Sequence, residues 1–77
     1  VSERPVKYHW IITLQKPAGV GVINTVTRSG TVDATAGTTR SAVYDQIRKF
    51  VDQEVPELKG GNVMFWSLER DALWGGR

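Results

Sequence analysis

Apolar side chains fall on alternate positions over residues 6–15, recur at intervals of three and four between 43 and 55, and return to alternation over 62–69. A period of two belongs to a strand with one buried face, and a period near 3.6 to an amphipathic helix. Val6–Gln15 therefore reads as a first strand, with Tyr8, Trp10, Ile12 and Leu14 alternating with Lys7, His9, Ile11 and Thr13. Its aromatic and β-branched content suits a pleated, half-buried surface. Pro17-Ala18-Gly19 is expected to break it. Val20–Thr27 reads as a second strand and Arg28-Ser29-Gly30 as a reversal in which Gly30 can take positive φ. Thr31–Thr35 follows as a short, polar third strand suited to an edge.

Gly37-Thr38-Thr39 then opens a helix, with either threonine able to accept from a free first-turn N–H. Val43, Ile47, Phe50 and Val51 form one apolar stripe, extended by Val55. Asp45 and Lys49 make a favourable pair one turn apart on the wet side. Pro56 ends the helix by driving the preceding residue from helical dihedrals. After a turn at Lys59-Gly60-Gly61, Asn62–Glu69 is a fourth strand, with Met64, Trp66 and Leu68 alternating with Val63, Phe65 and Ser67. The expectation is a single α+β domain over 1–77, ordered over about 6–69 with a flexible tail at 70–77. Its elements run βββαβ, a β-meander, one amphipathic helix and a final strand. A right-handed crossover makes strand four parallel to strand three, and strand one, the most apolar of the meander, belongs in the middle. The resulting order, 3-2-1-4 with strands one and four parallel, is β-grasp-like.

One helix carries one stripe and can cover only one face of such a sheet. Trp10, Ile12, Leu14, Val22, Val26, Val32, Met64, Trp66 and Leu68 are expected beneath Val43, Ile47, Phe50 and Val51. His9, Ile11, Thr13, Ile23, Thr25, Val63, Phe65 and Ser67 are left on the other face. An antiparallel sheet tolerates one wet face, but Ile11, Ile23, Val63 and Phe65 together would make an apolar patch of the kind that marks partner surfaces. A terminal tail through Trp74, a second copy of the chain or a foreign ligand could each cover it. The candidate partner-binding residues are His9, Ile11, Ile23, Val63 and Phe65.

Composition narrows the chemistry. The chain has 77 residues, 40% hydrophobic and 23% charged, in the range of globular domains. It has no cysteine, which removes disulfides, thiolate metal sites and thiol redox chemistry and favours a reducing, cytoplasmic setting. No apolar run approaches the length of a membrane span. His9 is the only histidine, with no carboxylate or nucleophile near it in sequence. None of Ser2, Ser29, Ser41 and Ser67 stands in a nucleophile-elbow context. Gly19-Val20-Gly21 lacks the third glycine and following helix of a phosphate-binding turn. A non-enzymatic chain with no metal and no cofactor is therefore expected.

The net charge is +2, and residues 1–40 carry Arg4, Lys7, Lys16, Arg28 and Arg40 against Glu3 and Asp33. That asymmetry supports a weak nucleic-acid binder using Lys7, Lys16, Arg28 and Arg40 as the alternative function, without the dense basic stripe such proteins usually show. Arg40 sits near the positive end of the helix, while Asp52, Glu54 and Glu57 crowd its negative end, against the dipole. Two resemblances add to this. A β-grasp-like body followed by Gly75-Gly76 is similar to ubiquitin-like modifiers and carriers, although Arg77 follows the pair and only one strand follows the helix. Tyr8-His9-Trp10, Gly30-Thr31-Val32-Asp33 and Phe65-Trp66-Ser67-Leu68-Glu69 resemble short Streptomyces-type actinobacterial proteins of unassigned activity, over residues 7–70. That resemblance implies a cytoplasmic bacterial accessory protein, such as one from a mobile element, and transfers no functional residue. The expected role is a small interaction or regulatory module that binds a protein partner, or itself, through the helix-free face.

Overall fold

A computed structural model describes residues 4–73. In chain order the elements are β1 (Val6–Gly19), β2 (Val22–Ala34), α1 (Arg40–Glu54), one 3₁₀ turn (Pro56–Leu58) and β3 (Asn62–Arg70). The sheet has the order β2-β1-β3, and both outer strands run antiparallel to β1. The architecture is α+β, but with three strands and not four. The order 3-2-1-4 is replaced by 2-1-3, and the final strand lies antiparallel to the first.

The difference arises at Gly30. Residues 28–30 do not reverse the chain; they continue β2, with Arg28, Ser29 and Gly30 opposite Ile12, Ile11 and Trp10. Gly30 keeps negative φ. Its lack of a side chain serves close approach instead, since a Cβ there would lie 2.9 Å from Cζ2 of the Trp10 indole. Glycine inside a strand marks such an approach as readily as a turn. The true reversal is at Val20-Gly21, where Gly21 has φ +72°. Pro17 does not break β1, because β3 stops at its pairing with Gln15 and β1 is an edge strand from there on.

The core follows from the parity of β1. Trp10, Ile12 and Leu14 point to one side and meet Val43, Ile47 and Val51 of α1, with Val55 and Leu58 closing the far end. Ile12, Leu14 and Val51 are completely buried, each contributing roughly 1.5–3 kcal/mol from lost apolar exposure. Thr39 caps α1, its Oγ1 accepting from the Ala42 N–H at 3.1 Å. Val55, at φ −132° before Pro56, ends it. The 3₁₀ turn that follows delivers Leu58 to the core, a contribution the turn-like Glu57-Leu58-Lys59 sequence conceals.

A bulge in β3 changes the other outer strand. Thr13 pairs with Phe65 but Leu14 pairs with Val63, so Met64 has no partner. The extra residue inverts alternation on its N-terminal side. Val63 therefore packs against the core, and Met64 is 57% exposed, the reverse of the expected assignment. Val22 is also outside the core, at the hairpin end opposite Gly19, and Phe50 is half-exposed at the β2 side with its ring edge-on to Trp10 at 6.3 Å.

On the β3 side of α1, Trp66 packs edge-on to Tyr44 at 5.0 Å, and the Arg40 guanidinium lies 5.7 Å over the Trp66 ring. This cation–π contact accounts for a cation at the wrong end of the helix dipole. Asp52 has no such compensation: its Oδ1 is buried without a hydrogen-bond partner in the last turn of α1.

Three stability outcomes follow, each read from urea or thermal unfolding. Gly30→Val forces the Trp10 indole to move and lowers stability by about 1–3 kcal/mol. Val63→Asp places a carboxylate against the core and destabilises by about 2 kcal/mol or more, whereas Phe65→Asp on the open face costs under about 1 kcal/mol. Asp52→Ala removes an unpartnered oxygen and an unfavourable dipole contact, so the midpoint rises. A fall in the midpoint would show that Asp52 has a stabilising role the contacts do not reveal.

Candidate functional site

The side of the sheet away from α1 is built by the residues that alternate with the core row. On β1 these are His9, Ile11, Thr13, Gln15 and Pro17, opposite Thr31, Ser29, Thr27, Thr25 and Ile23 of β2. β3 adds Glu69, Ser67, Phe65 and Asn62 beside His9, Ile11, Thr13 and Gln15. The strands therefore form cross-rows, such as Ser29–Ile11–Ser67 and Thr27–Thr13–Phe65.

Charge is confined to one end of this face. Lys7 and Asp33 pair across β1 and β2 at 3.5 Å, and Glu69 stands in the next row. From the Ser29–Ile11–Ser67 row to the hairpin turn, no Asp, Glu, Lys or Arg occupies the face. By contrast, Arg40, Asp45, Arg48, Lys49, Asp52 and Glu54 all lie on α1. The hydroxyls are partly self-satisfied: Thr13 Oγ1 and Thr27 Oγ1 are 2.9 Å apart. A hydroxyl that already has a partner is cheaper to remove from water. Phe65 is 52% exposed at the end of that row, diagonal to the partly buried Ile11.

The expected patch is thus only partly assembled. Ile11 and Phe65 are neighbours, but Val63 is on the core side. Ile23 lies opposite Pro17, six residues along β1 from Ile11 and so roughly 20 Å away. What the residue pattern missed is the hairpin end. Val20, Val22, Ile23, Met64 and Phe65, five of the seven large exposed hydrophobics among the described residues, lie at the Thr13 row or beyond it toward the turn. Past Gln15 the ribbon of β1 and β2 has no third strand beside it. Such two-stranded ribbons are marginal in water by themselves.

His9 stands between Thr31 and Glu69, the residue types of a hydroxyl–imidazole–carboxylate relay drawn from three strands. No hydrogen bond joins them among the described residues. Thr31 borders the shallow groove between β2 and α1. The row therefore does not show the hydrogen-bonded linkage of such a relay.

The four cations of the nucleic-acid alternative are not gathered on one surface. Lys7 is on the helix-free face and ion-paired. Lys16 Nζ donates to the Lys59 carbonyl at 2.8 Å, Arg28 projects on the opposite face from β2, and Arg40 is stacked on Trp66. A cleft of about 400 Å³ at the start of α1 brings Arg4 and Arg40 near Tyr8, Thr38 and Thr39 over a floor of Val6, Val43 and Leu68. Among the described residues no group of three His, Cys, Asp or Glu side chains could hold a metal ion, and no helix is long and apolar enough to cross a membrane. Trp74 and the Gly75-Gly76 pair, invoked as a cover for the face and as a modifier-like terminus, lie outside the described residues. Compared with protein-family models, curated proteins and solved structures, the chain matches none.

Proposed function

We propose that this chain is a non-enzymatic docking module that binds a protein surface through the helix-free face of its sheet and the adjoining hairpin end. The observation that carries the reading is the charge-free stretch from Ile11 to the turn, with Phe65 and Ile23 exposed on it. Solvated faces of small domains are usually dressed with Lys and Glu, whereas the cores of protein interfaces are depleted of charge and enriched in aromatic and Met side chains. Met64 and Phe65 are exposed together because the β3 bulge turns Met64 outward next to Phe65, which its pairing with Thr13 already places on the open face, and bulges commonly re-aim side chains at working surfaces. The rim is polar, with Lys7, Asp33 and Glu69 at one end, which is the usual arrangement around a docking core.

Binding measured by titration calorimetry against a protein recovered on wild-type bait tests this. Phe65→Asp and Ile23→Asp each weaken binding by about tenfold or more, as expected for truncating or charging a desolvated contact. Phe50→Asp, exposed on the helix side, leaves binding unchanged. Loss of binding in the Phe50 variant alone would assign recognition to the helix side and refute the proposal.

A further inference from the structure

Resting on the docking reading above, we infer that the occupant of the helix-free face is a second copy of this chain, packed sheet against sheet. The first reason is charge. A surface that meets its own copy must avoid placing like charges together. The face satisfies this from the Ser29–Ile11–Ser67 row to the turn, because it has no charge to oppose. The charged end also selects the orientation. A two-fold axis across the strands near the Thr27–Thr13–Phe65 row sends the Lys7–Asp33 row of each copy to opposite ends of the dimer, roughly 40 Å apart. An axis along the strands would instead bring Glu69 of both copies to the same end.

The second reason is area. Over their own lengths of 14, 13 and 9 residues, at about 3.3 Å rise and 4.8 Å spacing, the three strands give a flat footprint of roughly 570 Å² per copy, or about 1,100 Å² for the pair. That clears the roughly 1,000 Å² expected of a specific interface, and side-chain relief adds to it. In the crossed orientation the ribbon beyond Gln15, exposed with Val20 and Ile23, lies over the His9 and Lys7 rows of the other sheet in place of water, so the charged rows meet the charge-free arm and not each other. The two sheets then form a sandwich whose mean strand directions lie within about 30° of each other. Thr13 and Thr27, already hydrogen-bonded to each other, enter this layer without an orphaned hydroxyl.

Sedimentation velocity on the full chain, from micromolar to millimolar concentration, tests the inference. The expected result is a concentration-dependent species of twice the 8.6 kDa chain mass, persisting at about 1 M salt because no ion pair holds it. Phe65→Asp and, separately, Thr27→Lys shift the sedimenting species to the monomer, with near-ultraviolet circular dichroism reporting the fold. Thr27 is exposed on an edge strand, so it carries the test should the Phe65 variant fail to fold. Phe50→Asp still dimerises. Because the chain lacks cysteine, Thr13→Cys places a single thiol beside the axis, and a short bis-maleimide links the two copies across sheets packed about 10 Å apart, whereas Lys7→Cys is not linked. A monomer at millimolar concentration, or a dimer indifferent to both face variants, overturns the inference. If the monomer still binds a different protein in a Phe65-dependent manner, self-pairing alone has failed and the docking reading survives.

Discussion

The contact between the Trp10–Ile12–Leu14 row and the Val43–Ile47–Val51 stripe organises everything else in the molecule. It fixes which side of β1 is inward. Because β1 is central and pairs with both other strands, its parity then dictates the parity of the whole sheet up to each irregularity. One helix supplies one stripe, so the second side of the sheet has no covering element among the described residues. The candidate surface is a consequence of that shortage of cover.

Two local departures from regularity shape the surface. Gly30 lets β2 pass over the Trp10 indole without a turn, which yields one long hairpin where two short ones were expected. The β3 bulge brings Val63 inward and turns Met64 outward beside Phe65. The first lengthens the sheet into an arm; the second sets Met64 next to the Phe65 ring at the root of that arm. Together they concentrate apolar exposure at one end and leave the ion-paired rows at the other.

Three of the cations outside this face are held by side-chain contacts. Arg40 stacks on Trp66, Arg48 donates to the Tyr44 hydroxyl at 3.2 Å, and Lys16 reaches the Lys59 carbonyl. Seen only as a run of residues, Lys16, Arg28 and Arg40 suggest a basic surface. In the fold, two of the three are engaged on separate elements. Asp52 differs from these cations in carrying a buried oxygen that no donor meets.

The amino-acid sequence by itself determined the helix from its 3.6-residue stripe, its capping threonine and its stop before Pro56, because these are local effects of side-chain spacing and backbone chemistry. It also determined the core row of β1, since strict alternation admits only one buried set. Ile11, Thr13, Thr25, Phe65 and Ser67 were legible as the complementary face for the same reason. Tertiary structure decided the number of strands, because glycine permits both a turn and a close approach, and only the position of Trp10 selects the second. It likewise decided the sides of Val63 and Met64, since a bulge is a relation between two paired strands and leaves no mark in the alternation of one. Register then decided which of these face residues are neighbours, placing Ile11 beside Phe65 and Ile23 far from both, because pairing between distant segments is not written in any one of them.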